Sequence, residues 1–197
     1  MEPGMNVVAD RCEIARANVR AGVDPARRFP RNVFVGDWSD FFFFDSDWMR
    51  ESDFVDHVKA FLEIEGGQCA CVWKLDSDRP IELRDFFVRE QTTTDEYRAL
   101  LAGTTLGYGW LDAVERVACA SDGGEWCMYC EPSNEIAVIG FRQTDAAARY
   151  ASAMARVRAT RFEDATREPA LSYGFSERAL SREWRDELLR EYAARAR

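Results

Sequence analysis

The sequence predicts an α+β fold: a single domain with a mixed or antiparallel central sheet, packed by several helices and closed by an arginine-rich C-terminal helix. Three observations lead there. Aromatic and β-branched runs gather between residues 32 and 141, helical spacing dominates both ends, and no convincing linker divides the 197 residues. An apolar share of 47% is ordinary for a globular chain and suffices for one sizeable core.

A first helix is expected over Val8–Arg20, where Val8, Cys12, Ala15 and Val19 recur at helical spacing and Gly22 with Pro25 closes the run. NVFVG (32–36) and SDFFFF (39–44) read as two strands, or as one strand bent at Gly36-Asp37. The clearest helix covers Asp53–Glu65, with Ser52 as N-cap, Asp53 at the positive end of the dipole and an apolar stripe of Phe54, Val55, Val58, Phe61 and Leu62. Gly66-Gly67 stops it. QCACVWKL (68–75) and IELRDFFV (81–88), separated by the turn DSDRP, predict a hairpin.

Thr93-x-x-Glu96 has the form of a capping box and opens a short helix through Ala102. LDAVERVACA (111–120) has helical spacing, and SDGGE breaks it before the strand WCMYC (126–130). Pro132–Glu135 turns the chain into IAVIGF (136–141), whose unbroken apolar character suits a central strand. A long helix is expected from Asp145 to about Phe162. A last one runs from Ser176 or Ser181 toward Tyr192, tethered by REPALSYG (167–174) and so a peripheral element over 175–197.

Four consecutive phenylalanines, Phe41 to Phe44, constrain the sheet. On a strand, Phe41 and Phe43 point one way and Phe42 and Phe44 the other, so both faces must be covered. Asp40, Asp45 and Asp47 flank the run as charged guards against aggregation.

Six cysteines fall at 12, 69, 71, 119, 127 and 130 in a chain too large to need staples, which predicts buried free thiols in a reducing cytoplasm. Cys69-x-Cys71 and Cys127-x-x-Cys130 supply four thiols, but their strand contexts suit neither a zinc knuckle nor a redox helix N-terminus, and no metal or other cofactor is expected. His57 lies outside the apolar stripe as drawn and is expected to face solvent, with Asp53 one turn earlier. No G-x-S-x-G elbow, calcium loop or phosphate-binding glycine loop appears. No apolar run is long enough to cross a bilayer, and the opening MEPGMNVVADRCEIAR lacks the pattern of a secretory signal.

The net charge of −9 is unevenly spread: residues 36–65 and 66–140 each carry −7, whereas 1–35 carry +2 and 141–197 carry +3. An acidic middle repels nucleic acid and membrane surfaces and attracts cationic proteins. Tryptophan beside carboxylates, as at Trp38 and Trp48, suits an interface that receives arginine or lysine.

The aromatic, acid-studded stretch VFVGDWSDFFFFDSDW (33–48) and the hairpin EWCMYCEPSNEIAVIGF (125–141) resemble, in general character, immunity proteins that neutralise polymorphic or contact-dependent growth-inhibition toxins. The resemblance implies a tight complex with a basic toxin domain, commonly a nuclease, whose active site is occluded. Carboxylates of Asp37, Asp40, Asp45, Asp47, Asp53 and Asp56 would stand in for substrate phosphates, with Trp38 and Trp48 as anchors. Two other classes compete: a carboxylate-dependent, metal-assisted hydrolase, and a structural or regulatory partner protein.

Overall fold

A computed structural model describes residues 3–75, 85–102, 116–165 and 181–193. Six strands, β1 (Asp40–Asp45), β2 (Cys69–Lys74), β3 (Asp85–Arg89), β4 (Val117–Ser121), β5 (Trp126–Glu131) and β6 (Ile136–Phe141), form one sheet in the order β1-β6-β5-β4-β2-β3. Every neighbouring pair is antiparallel. β4, β5 and β6 form a meander, whereas β1 closes the edge by pairing with β6, Phe42 opposite Ile139.

The phenylalanines divide as their alternation requires. Phe42 and Phe44 enter a core under α2 (Phe54–Glu65) and α3 (Thr94–Ala102), while Phe41 and Phe43 enter a second core under α1 (Pro3–Gly22). Both faces of the sheet are therefore buried, giving helix, sheet and helix layers in an α+β class. Cys127 and Cys130 also fall in different cores, as their spacing on a strand demands.

α2 begins at Phe54 with Asp53 in the N-cap position, one residue later than the sequence suggests, and ends at Gly66, whose φ of 77° is the left-handed conformation glycine tolerates. The capping box holds: the Glu96 carboxylate accepts from the Thr93 N–H at 2.6 Å, and Thr93 Oγ1 accepts from the Glu96 N–H at 3.2 Å. β2 and β3 pair as the predicted hairpin, whose turn lies outside the described residues.

Residues 32–36 do not form a strand. The Val33 N–H is taken by the Tyr192 hydroxyl at 3.0 Å and the Phe34 N–H by the Asn32 side chain at 2.9 Å, leaving a single bridge between Val23 and Phe34. The helix expected over 111–120 is also overturned from Val117 onward, residues 111–115 lying outside the described ones. Val117 and Cys119 face the first core and Ala118 and Ala120 the second, so burial on both faces and pairing to β2 and β5 override helical spacing.

The long helix expected from Asp145 is three short ones: α4 (Ala146–Arg149), α5 (Ala151–Arg156) and α6 (Phe162–Ala165). The chain breaks at Arg158, with φ of 52°, and brings Thr160 beside Phe43, where the two exchange backbone hydrogen bonds at 2.7 and 2.9 Å. α7 (Arg182–Tyr192) is capped by Ser181, whose Oγ accepts from the Trp184 N–H. It is not peripheral. Leu188 and Tyr192 are buried in the second core, and the Tyr192 hydroxyl donates to the Arg31 carbonyl at 2.9 Å. REPALSYG lies outside the described residues.

The expectation of six free thiols fails at one pair. Cys12 on α1 and Cys69 at the start of β2 form a disulfide, because α1 lies along β2 and β4 and places its Cys12 face on the strand. Cys71, Cys119, Cys127 and Cys130 are free and buried. Burial pushes the Cys71 thiol up to about 12 and raises the other three as well, so none of the four is a ready nucleophile at neutral pH.

Candidate functional site

β1 separates the eight predicted contact residues into two groups, one at each end of a strand about 17 Å long. At its start stand Asp37, Trp38 and Asp40. There the protein answers its own charges. The Arg142 guanidinium lies 4.4 Å from the centroid of the Trp38 ring, and the Trp38 Nε1–H donates to the Val35 carbonyl at 2.8 Å. Asp40 is buried and paired with Arg161 at 2.8 Å, and that guanidinium also covers Phe42. Only Asp37 is exposed.

The other end of β1 behaves differently. Asp45 caps a 3₁₀ turn (Ser46–Arg50), its carboxylate accepting from the Asp47 N–H at 2.9 Å, and the turn leads straight into α2. Residues 45–57 hold five carboxylates, Asp45, Asp47, Glu51, Asp53 and Asp56, against one arginine, Arg50. Arg50 reaches Asp47 at 3.7 Å, an exposed pair of small energetic weight. Asp47, Asp53 and Asp56 are exposed, and neither Asp53 nor Asp56 pairs with an arginine or lysine among the described residues. Burial pushes the Asp45 carboxyl up, partly countered by the Asp47 N–H and reinforced by the neighbouring Asp47 charge.

Trp48 is half-buried, packed on the first core, and meets His57 edge-to-face at 5.1 Å between centroids. His57 therefore does not face solvent. It lies three residues after Phe54 and four before Phe61, which places it on the buried flank of α2. Neither ring nitrogen has a hydrogen-bond partner, and Nε2 stands 3.8 Å from Asp53 Oδ2. Burial lowers the imidazole's affinity for a proton, Asp53 and Asp56 oppose the shift, and Arg156 adds to it.

The structure thus brings Asp45, Asp47, Trp48, Asp53 and Asp56 together and sets Asp37, Trp38 and Asp40 apart. It adds His57, which the spacing to Phe54 and Phe61 would have placed on the apolar face. The arrangement sets a half-buried indole against His57, with Asp53 3.8 Å from the imidazole and Asp47 next to the indole in sequence, a combination of aromatic and acid that can accept a cationic side chain. A shallow cavity of about 380 Å³ lies elsewhere, at the β3 edge of the sheet, lined by Asp85, Phe86, Phe87, Arg89, Gln91, Thr92 and Glu96. Asp85 there is already held by Arg16 at 2.7 Å and Arg20 at 3.1 Å. Among the described residues no three His, Cys, Asp or Glu side chains are placed to hold a metal ion, and no helix is long and apolar enough to cross a membrane. Comparison with protein families, with curated proteins and with solved structures finds no match to this chain.

Proposed function

We propose that the chain is an acidic protein-binding module, an immunity protein that neutralises a basic toxin domain by covering its active site. The observation that carries this reading is the contrast between the two ends of β1. At one end Arg142 covers Trp38 and Arg161 takes Asp40, while the other leaves Asp47, Asp53 and Asp56 exposed on the stretch that carries Trp48.

Exposed carboxylates alone give weak, salt-sensitive attraction, since each surface pair contributes about 0–1 kcal/mol. A half-buried tryptophan beside them supplies the desolvated anchor that a tight interface needs. The carboxylates steer and orient a basic surface, such as the phosphate-binding groove of a nuclease, and Trp48 holds it. The compartment is the cytoplasm, together with the target. The Cys12–Cys69 bond would there meet reducing conditions, shielded by burial of both sulfurs.

Co-expression with the product of the adjacent gene tests the proposal. Growth should be rescued by the wild-type chain and lost with Trp48→Ala combined with Asp53→Lys. Rescue that survives the double variant, or purified proteins that fail to associate, would remove the reading.

A further inference from the structure

The imidazole at the centre of the acidic face is its least satisfied group. His57 has a side chain only 10% exposed, and neither Nδ1 nor Nε2 has a hydrogen-bond partner. A buried polar group without a partner costs stability, which an apolar side chain at this position of the stripe would avoid. The 3.8 Å between Nε2 and Asp53 Oδ2 is too long for a hydrogen bond and short enough for an ion pair to form once the ring is charged.

We propose that His57 makes occupancy of this face depend on protonation: the neutral ring leaves Asp53 free for a cationic side chain of the partner, and the imidazolium takes Asp53 for itself. The inference rests on the partner-binding reading and adds its regulation. The proton comes from solvent and returns to it when the cation binds, so cation and proton compete for one carboxylate. Linkage makes the effect reciprocal, and a bound cation makes His57 harder to protonate.

The charges packed around α2 leave Asp53 as the natural destination of the charged ring. On α2 itself, Asp53 and Asp56 favour the imidazolium, and Arg156 of α5 opposes it. Asp47 and Arg50 of the 3₁₀ turn pair with each other, and Arg98 of α3 is held by Asp95, with Ser52 at 3.4 Å. Lys74 of β2 is buried, Asp85 of β3 is engaged by Arg16 and Arg20, and Arg89 lies against Cys12. Trp48 forms the remaining wall. It meets the imidazole edge-to-face at 5.1 Å between centroids, so the ring that reaches Asp53 also touches the anchor.

His57 is the only histidine, so its imidazole resonance titrates alone in a proton–carbon NMR spectrum. The probe is an oligo-arginine peptide at low ionic strength. In the wild type, affinity should be constant above about pH 6.5 and weaken progressively as pH falls below it, with the imidazole titrating at lower pH when peptide is bound. His57→Phe should bind equally across that range. Asp53→Asn, exposed at the helix start and not dependent on repacking around residue 57, should flatten the dependence and make His57 still harder to protonate. Wild-type binding that ignores pH, or a pH dependence that persists in both variants, overturns the proposal while leaving the partner reading in place. Peptide that binds at no pH removes both.

Discussion

Asp40 and Arg161 form an ion pair at 2.8 Å across more than a hundred residues of chain, with the carboxylate buried at the start of β1. An acid that the sequence offers to a partner is thus committed to the fold. Asp40→Asn should destabilise the protein by about 1–3 kcal/mol, the range for losing a charge-assisted hydrogen bond, and leave partner affinity unchanged. Denaturant melts and calorimetry of binding separate the two effects; an intact melt with lost affinity would return Asp40 to the interface.

At the opposite end of β1 the expectations reverse. Asp47→Lys should chiefly slow association with the basic partner, and Trp48→Ala should chiefly speed dissociation, because steering charges act on encounter and desolvated anchors on residence. Stopped-flow binding and surface-immobilised dissociation measure them. Equal effects of both variants on one rate would contradict this division.

Phe42→Ala and Phe43→Ala should each cost about 3–5 kcal/mol, as for truncation of a buried phenylalanine, although the two rings lie in different cores. Because the two residues are adjacent on one strand, the double variant measures how strongly the shared backbone couples the two cores. Chemical denaturation of all three proteins gives the comparison.

The Cys12–Cys69 bond closes a loop between residues 57 apart in sequence, and a crosslink of that span stabilises by about 2–4 kcal/mol. The unfolding free energy from denaturant melts should fall by that amount under reductant or in Cys12→Ser. Thiol titration in denaturant without reductant should find four thiols, matching Cys71, Cys119, Cys127 and Cys130; six would place both sulfurs in the reduced form.

For His57 the sign of the stability effect follows from burial, which lowers its protonation in the folded state relative to an ordinary value of about 6.5. The unfolded chain then binds the extra proton more readily. The contribution is fully present above about pH 6.5 and is lost as pH falls from there through the lower folded value. Melts of wild type and His57→Phe across that window should converge in slope at higher pH and diverge below it, with only the wild type losing the histidine's share.

Much of this architecture is legible in the sequence because alternation and capping are local. The two-faced phenylalanine run, the Thr93–Glu96 box and the glycine stop after Glu65 each depend on neighbours within a few residues. The failures arise where distant residues decide. Val33 is denied to a strand by a tyrosine hydroxyl from the far end of the chain, and Cys12 finds Cys69 only because α1 packs on β2. The site was half legible for the same reason: Asp53, Asp56 and Trp48 lie together, but no local pattern announces that Arg142 covers Trp38 or that Arg161 takes Asp40.

The pairing of β1 with β6 also sets a schedule for synthesis. Phe42 leaves the ribosome long before its partner Ile139, and the ring of Tyr192, which packs at 5.1 Å on Phe41, comes near the end. At about 5–20 residues per second, the four-phenylalanine strand waits on the order of 5–20 seconds for β6. The β4-β5-β6 meander, built from consecutive turns, has the shorter loops to close and is the natural first structure. β1 then joins a surface already formed, so a chaperone that shelters residues 40–45 during that interval would raise the yield of folded protein more than any aid to the strands made later.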